Sequence, residues 1–101
     1  MARIVWTRQS REDLAAIKAY IAGDAPRTAE AFTRRLMNKT RRLRRFPWSG
    51  SVVQELNRPA IREILFGSYR IIYRASNKLV EILTVYHGTR LLDDSQFPDL
   101  D

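Results

Sequence analysis

The sequence predicts an α+β domain of order β-α-α-β-β-β, with a helical hairpin packed on one face of a small antiparallel sheet. Two observations carry this. In the first half, apolar residues recur at helical spacing in two runs joined by a link of two or three residues. In the second half the period changes to short β-branched and aromatic runs separated by breaks of two and three residues. Two helices are too few to close a bundle, and three strands need one face covered. Each half therefore supplies what the other lacks.

The elements follow in order. Residues 3–7 (Arg-Ile-Val-Trp-Thr) read as a strand. Ser10, with Asp13 three residues later, resembles an N-cap with an acidic first turn. Leu14, Ile17 and Ile21, with Tyr20 beside them, mark a helix from about Arg8 or Ser10 to Ala22, with Gly23 as its stop. The next helix opens at Asp24-Ala25-Pro26, where Asp24 can cap and Pro26 suits the first turn. Ala29, Phe32, Leu36, Thr40 and Leu43 fall within an arc of about 80° on a wheel of 100° per residue. Arg34, Arg41, Arg42 and Arg45 lie opposite, and Pro47 and Gly50 end the helix near Phe46. The short link makes the two helices antiparallel neighbours.

Ile61–Phe66, Tyr69–Ala75 and Leu79–Tyr86 are three strands, separated by Gly67-Ser68 and Ser76-Asn77-Lys78 at hairpin spacing. Asn57-Arg58-Pro59 interrupts what precedes, so Val52–Leu56 is an irregular or edge segment. Tyr69 and Tyr73 alternate with the arginines of their strand and face the core, and Trp6 and Trp48 are packing residues. The domain is expected over residues 1–92, with an acidic, loosely ordered tail over 93–101.

Composition narrows the function. The chain of 101 residues has no cysteine, which excludes disulfides and thiol chemistry within it, and with one histidine no metal site is expected. No run approaches the roughly 20 apolar residues of a membrane helix. The N-terminus has no apolar signal core, so the expectation is a cytoplasmic protein without membrane contact. No Gly-rich phosphate loop or Ser-His-Asp arrangement is present, and no cofactor is expected.

Charge is the most informative property. Eighteen basic residues, fifteen of them Arg, face eleven acids, and four of those acids lie in the last nine residues. Residues 1–90 hold all eighteen bases and seven acids, a net of +11. Such a balance predicts a polyanionic partner: nucleic acid, a ribonucleoprotein or an acidic protein. Seven of the twelve residues from Arg34 to Arg45 are basic, and no acid occurs between Glu30 and Glu55. A solvated helix face is the ordinary reading of a charge run. This one has a single sign, so phosphate contact by Arg41, Arg42 and Arg45 is the sharper expectation.

Several strings then resemble the RelE/ParE superfamily of toxins. They are Ile4-Val5-Trp6-Thr7, Asp13-Leu14, Tyr20-Ile21, and Leu43-x-x-Phe46-Pro47-x-x-Gly50. The most specific is Arg62-Glu63-Ile64-x-x-Gly67-x-Tyr69-Arg70-Ile71-Ile72-Tyr73-Arg74, followed by Val85-Tyr86-His87-Gly88-x-Arg90. The Gly-x-Tyr-Arg-Ile-Ile-Tyr-Arg strand and the His-Gly-x-Arg ending are closer to the ParE branch. The resemblance implies a type II toxin neutralised by a small cognate antitoxin, with operator DNA reached only through that antitoxin. ParE-like members are taken to poison DNA gyrase, and RelE-like members to cut mRNA on the ribosome.

The two branches imply different residues. A RelE-like nuclease works without a metal, with a base for the 2′-OH, cations for the phosphorane and an acid for the leaving oxygen. Arg70 and Arg74 share a strand face, Arg62 could join from the neighbouring strand, and His87 and Arg90 come from the end of the last strand. In the ParE-like reading Arg41, Arg42, Arg45, Arg70, Arg74 and Arg90 contact phosphate or target. Against these roles, Arg62 could pair with Glu55, Glu63 or Glu81, Arg70 and Arg74 could be a solvated face, and His87 could be structural. Nuclease members often carry lysines on the middle strand and a tyrosine after the last strand. Here no lysine lies between Lys39 and Lys78, and no tyrosine follows Tyr86.

Overall fold

A computed structural model describes residues 1–93 and 95. The elements are β1 (Arg3–Trp6), α1 (Arg8–Ala22), α2 (Pro26–Thr40), a 3₁₀ helix (Arg41–Arg44), β2 (Ser51–Val52), β3 (Ile61–Phe66), β4 (Tyr69–Ala75) and β5 (Leu79–His87). The expected order holds, with the two-residue β2 as the edge segment before β3. The acidic tail lies, apart from Asp93 and Ser95, outside the described residues.

The sheet has five strands in the order β1-β5-β4-β3-β2 and is mixed rather than antiparallel. The exception is β1, which pairs parallel to β5 from Arg3 opposite Leu79 to Trp6 opposite Ile82. No local turn joins these strands. The helical hairpin carries the chain from one to the rest of the sheet, as a parallel pair requires. β3, β4 and β5 form the expected meander, with Gly67 at φ +58° in the β3–β4 turn, where glycine pays no Cβ penalty. The β4–β5 register slips between Ile72, opposite Thr84, and Tyr73, opposite Ile82, which leaves Leu83 as the extra residue of a bulge.

Both faces of β4 are buried. Toward the helices, Ile71, Tyr73 and Ala75 pack with Leu14, Leu36, Leu43, Ile64, Val80 and Ile82. The stripe foreseen for α2 is there, with Ala29, Leu36 and Leu43 at 0% exposure. On the other face Ile72 packs with Val53, Leu56, Ile61, Leu83, Tyr86 and Leu92, so the β2–β3 loop and the C-terminal segment form a second lid. Each fully buried Ile or Leu contributes on the order of 1.5–3 kcal/mol.

Three local expectations need correction. The cap of α1 is Thr7, whose side chain accepts the Ser10 N–H at 3.2 Å, while Ser10 is fully buried and donates its hydroxyl to the Thr7 carbonyl. Thr7 wins because its hydroxyl also reaches the Ile82 carbonyl at 2.8 Å, tying the helix start to β5. Asp24 does not cap α2. Ala25 holds that position without a side-chain bond, and Pro26 opens the helix. Finally, α2 stops at Thr40, not near Phe46. The chain tightens into the 3₁₀ helix, which keeps Leu43 in the core and offers the Arg44 carbonyl to Ala2 N–H at 2.8 Å.

Candidate functional site

The strand arginines do not form one phosphate-binding surface. β3 and β4 pair in register, Arg62 opposite Tyr73 and Ile61 opposite Arg74. Tyr73 belongs to the helix-side core and Ile61 to the opposite one. Alternation therefore puts Arg62 on the helix-bearing face and Arg70 and Arg74 on the other. The expectation that Arg62 joins them fails for this reason.

Arg70 is 7% exposed and internally paired. Nη1 donates to Glu55 Oε2 at 2.7 Å and Nη2 to Glu55 Oε1 at 3.0 Å, a bidentate fork. Nη2 also donates to Glu63 Oε2 at 2.6 Å, and Nη1 to the Arg90 carbonyl at 3.2 Å. Glu55 also accepts from Leu92 N–H at 3.3 Å. One guanidinium thus joins β4, β3, the β2–β3 loop and the C-terminal segment, so Arg70 holds structure instead of presenting a free charge. The Arg70 hydrogen bond holds the Glu55 carboxyl down at about 2, below its ordinary 4.5. The same pair, chiefly through Glu55, pushes the Arg70 guanidinium further up.

The sign of the pH effect follows. A carboxyl whose folded value is depressed adds stability above its unfolded value and loses it as pH falls toward the folded one. Urea midpoints should be flat from neutrality to about pH 4.5 and fall between there and pH 2. Glu55→Gln should flatten that descent and lower the neutral-pH midpoint; an unchanged acid limb would count against the pairing.

The other candidates have ordinary partners. Arg74 Nε lies 3.2 Å from Glu81 Oε1, with both side chains about a third exposed. Arg62 Nε donates to the Pro59 carbonyl at 2.9 Å, and Nη1 to the Trp48 and Gly50 carbonyls at 3.1 Å each. Its guanidinium also lies 5.3 Å from the Trp48 ring centroid. Trp6 packs against the core as expected. Trp48 is 42% exposed, its indole N–H donating to Asn77 Oδ1 at 2.9 Å, so it is a surface staple and not a core residue.

His87 and Arg90 do come together. They line a cleft of about 490 Å³ with Gln9, Asp13, Thr84 and Tyr86, between α1 and the end of β5. His87 is exposed, with Nδ1 2.9 Å from Thr89 Oγ1 and its ring edge-on to Tyr69. Arg90 lies over the Tyr86 ring at 4.5 Å. Asp13 accepts from the Thr84 hydroxyl, from Val85 N–H at 3.2 Å and from Gln9 Nε2 at 2.8 Å, and so ties α1 to the strand just past its bulge. Asp13→Ala removes both acceptor oxygens and leaves the Val85 N–H and the Thr84 hydroxyl without their partner. It should cost about 1–3 kcal/mol, read from denaturant midpoints, and a loss under about 0.5 kcal/mol would show the tie to be slack.

The basic run behaves differently from the strand arginines. Arg34, Arg35, Lys39, Arg41, Arg42, Arg44 and Arg45 are all exposed. Among the described residues none of the seven has a carboxylate partner. Lys18, Arg34, Arg41 and Arg44 line one open cleft of about 640 Å³ against the α1–α2 hairpin and β1, with Glu30 as its one carboxylate.

Sequence reasoning offered Glu55 and Glu63 to Arg62, where the structure gives them to Arg70, and read Asp13 as a first-turn acid rather than a tie to β5. It missed the Gly50–Tyr73 contact, in which Gly50 N–H donates to the buried Tyr73 hydroxyl at 2.9 Å. Burial raises the Tyr73 phenol. The Glu63–Arg70 pair had a readable signal. A two-residue turn at Gly67-Ser68 sets Leu65 opposite Arg70 and Glu63 on its diagonal. Among the described residues, no three His, Asp or Glu side chains gather as a metal site requires.

The chain is thus a two-helix hairpin over a five-stranded sheet, with first and last strands parallel and a one-signed basic ridge. The fold is that of a chain in the chromosomal ParDE TA system from P. aeruginosa, with a TM-score of 0.73 at 20% identity, covering 86% of this chain and 96% of that one. The chain belongs to the family described as ParE toxin of type II toxin–antitoxin system, parDE, whose model matches residues 4–92. It is also 33% identical over 92 residues to the toxin RelE2 of Caulobacter vibrioides (strain ATCC 19089 / CIP 103742 / CB 15), covering 90% of this chain and all of that one. Membership makes it the toxin of a type II module and implies a cognate antitoxin as partner. Among the described residues no helix is long and apolar enough to cross a membrane.

Proposed function

We propose that the chain is a ParE-like toxin that inhibits DNA gyrase and so blocks replication, and that a cognate antitoxin neutralises it. In this reading it acts in the cytoplasm, as a protein that binds gyrase and traps its DNA-cleaved state, and meets operator DNA only through the antitoxin. The observation that carries the choice is the dispersal of the five nuclease candidates. Arg62 lies on one sheet face and Arg74 on the other, Arg70 shares a cleft with His87 but is consumed by two glutamates, and Arg90 is the one candidate arginine beside His87 without such a pairing. General acid–base cleavage of RNA needs its groups around one phosphate. The match to a ParE model over nearly the whole chain supports the same reading.

Ribosome-dependent mRNA cleavage is the second reading. It is favoured by the 33% identity to a relative named RelE2 and by the His87–Arg90 cleft. Induced expression in a bacterial host separates the two. Filamentation with DNA-damage signalling is expected, suppressed by the antitoxin. Immediate arrest of protein synthesis with cut mRNA would replace this reading with the nuclease one. Unimpaired growth with abundant folded protein would reduce the chain to an antitoxin-binding relative without toxicity.

A further inference from the structure

The α2–3₁₀ ridge carries seven cations that no internal contact explains. Folding could have paired them, as it paired Arg70, Arg74 and Arg8 with Glu55, Glu81 and Glu12. It left them exposed and without a carboxylate partner among the described residues. Gathering like charges costs stability, since neighbours at i, i+3 and i+4 repel. An outside polyanion would remove that cost.

We propose that this ridge is a binding surface for the phosphate backbone of duplex DNA, gripped by Lys18, Arg34, Arg41 and Arg44 on one flank and by Arg35 and Arg42 on the other. The proposal deepens the gyrase reading and rests on it for its sense, because gyrase is a target that holds DNA. Three features favour a duplex. First, Arg35 and Arg42 stand about 100° round the helix from Arg34 and Arg41, so the cations project to two sides. A helix seated in a major groove about 12 Å wide meets phosphates on both sides, whereas a peptide in the cleft meets only one flank. Second, the ridge from Arg34 to Arg45 is roughly 20 Å long at helical rises, enough for several phosphates. Third, the cleft itself offers no open aromatic platform, which single strands use for stacking, and the exposed aromatics Phe46 and Trp48 follow Arg45, past the last of the gripping cations. The one aromatic of the cleft, Trp6, packs against the core.

The test uses the purified full chain and a labelled duplex of arbitrary sequence, titrated across salt concentrations without gyrase. Contact of these six cations with about six phosphates gives a slope of log K against log salt of about −5.4. Arg41→Glu with Arg44→Glu should weaken binding at least tenfold and reduce the slope by about 2. Arg8→Glu, on the exposed start of α1, has the same sign of charge change and should barely alter binding at physiological salt. Circular dichroism of each variant should match the parent, since every altered side chain is exposed.

The proposal falls if the double variant keeps the parent's slope, or if Arg8→Glu weakens binding as much. It also falls if a single-stranded oligonucleotide binds as tightly as the duplex. Polyglutamate that displaces the duplex at equal charge concentration would make the surface an acidic-peptide site instead. Toxicity is scored separately. A parent chain that poisons gyrase yet shows no salt-dependent binding to the duplex sinks this inference alone. A parent chain that binds duplex DNA but leaves gyrase untouched sinks the gyrase reading alone.

Discussion

Arg70→Ala should lower the unfolding free energy by about 3–5 kcal/mol, the usual result of removing one member of a buried ion cluster. Two glutamates, each about four-fifths buried at the side chain, would be left facing each other without their cation. The Arg90 carbonyl would lose a donor too, so the C-terminal segment should loosen first. For a domain of about 100 residues each kcal/mol moves Tm by about 4–8 °C, so thermal unfolding should begin at least about 12 °C lower. Arg70→Met combined with Glu55→Gln and Glu63→Gln removes the stranded charges and should recover part of the loss. A Tm within about 3 °C of the parent for Arg70→Ala would show that the cluster contributes little, as exposed pairs do.

Gly50→Ala should be nearly as damaging, for a steric reason. A Cβ at Gly50 would lie 2.6 Å from the Glu63 carbonyl oxygen and 2.6 Å from the Tyr73 hydroxyl. The first is strand backbone. The second is a fully buried side chain whose hydroxyl accepts the Gly50 N–H. Neither neighbour can yield without disturbing β3 or the core, so a cost of about 1–3 kcal/mol for overpacking is expected, with more if the hydrogen bond breaks. Tyr73→Phe isolates the second part and should cost about 1–3 kcal/mol by stranding that N–H. Chemical denaturation of the three proteins would check this. Parent-like stability of Gly50→Ala would mean that the loop after the 3₁₀ helix is free to shift.

These two sites mark where the sequence was legible and where it was not. β3, β4 and β5 were readable because their breaks are short and rich in Gly, Ser and Asn, which fixes both boundaries and register. The buried face of α2 was readable because Ala29, Leu36 and Leu43 keep one period into the 3₁₀ helix. The pairing of β1 with β5 was not, because the contact spans more than seventy residues and leaves no local turn signal. Strand alternation put Arg70, Ile72 and Arg74 on one face correctly. It did not reveal that Glu55, from an irregular loop, folds over that face and closes on Arg70. Exposed arginines and internally paired ones look alike in sequence. Only the carboxylate brought in from a distance separates Arg70 from Arg41.

The most direct test adds the purified full chain to DNA gyrase, supercoiled plasmid and ATP, and then denatures the mixture. Accumulation of cleaved plasmid with protein attached, abolished by prior addition of the cognate antitoxin, is the result expected of a gyrase-poisoning ParE-like toxin. Uninterrupted supercoiling with no cleaved plasmid, while translating ribosomes given the same chain lose their mRNA, would contradict it.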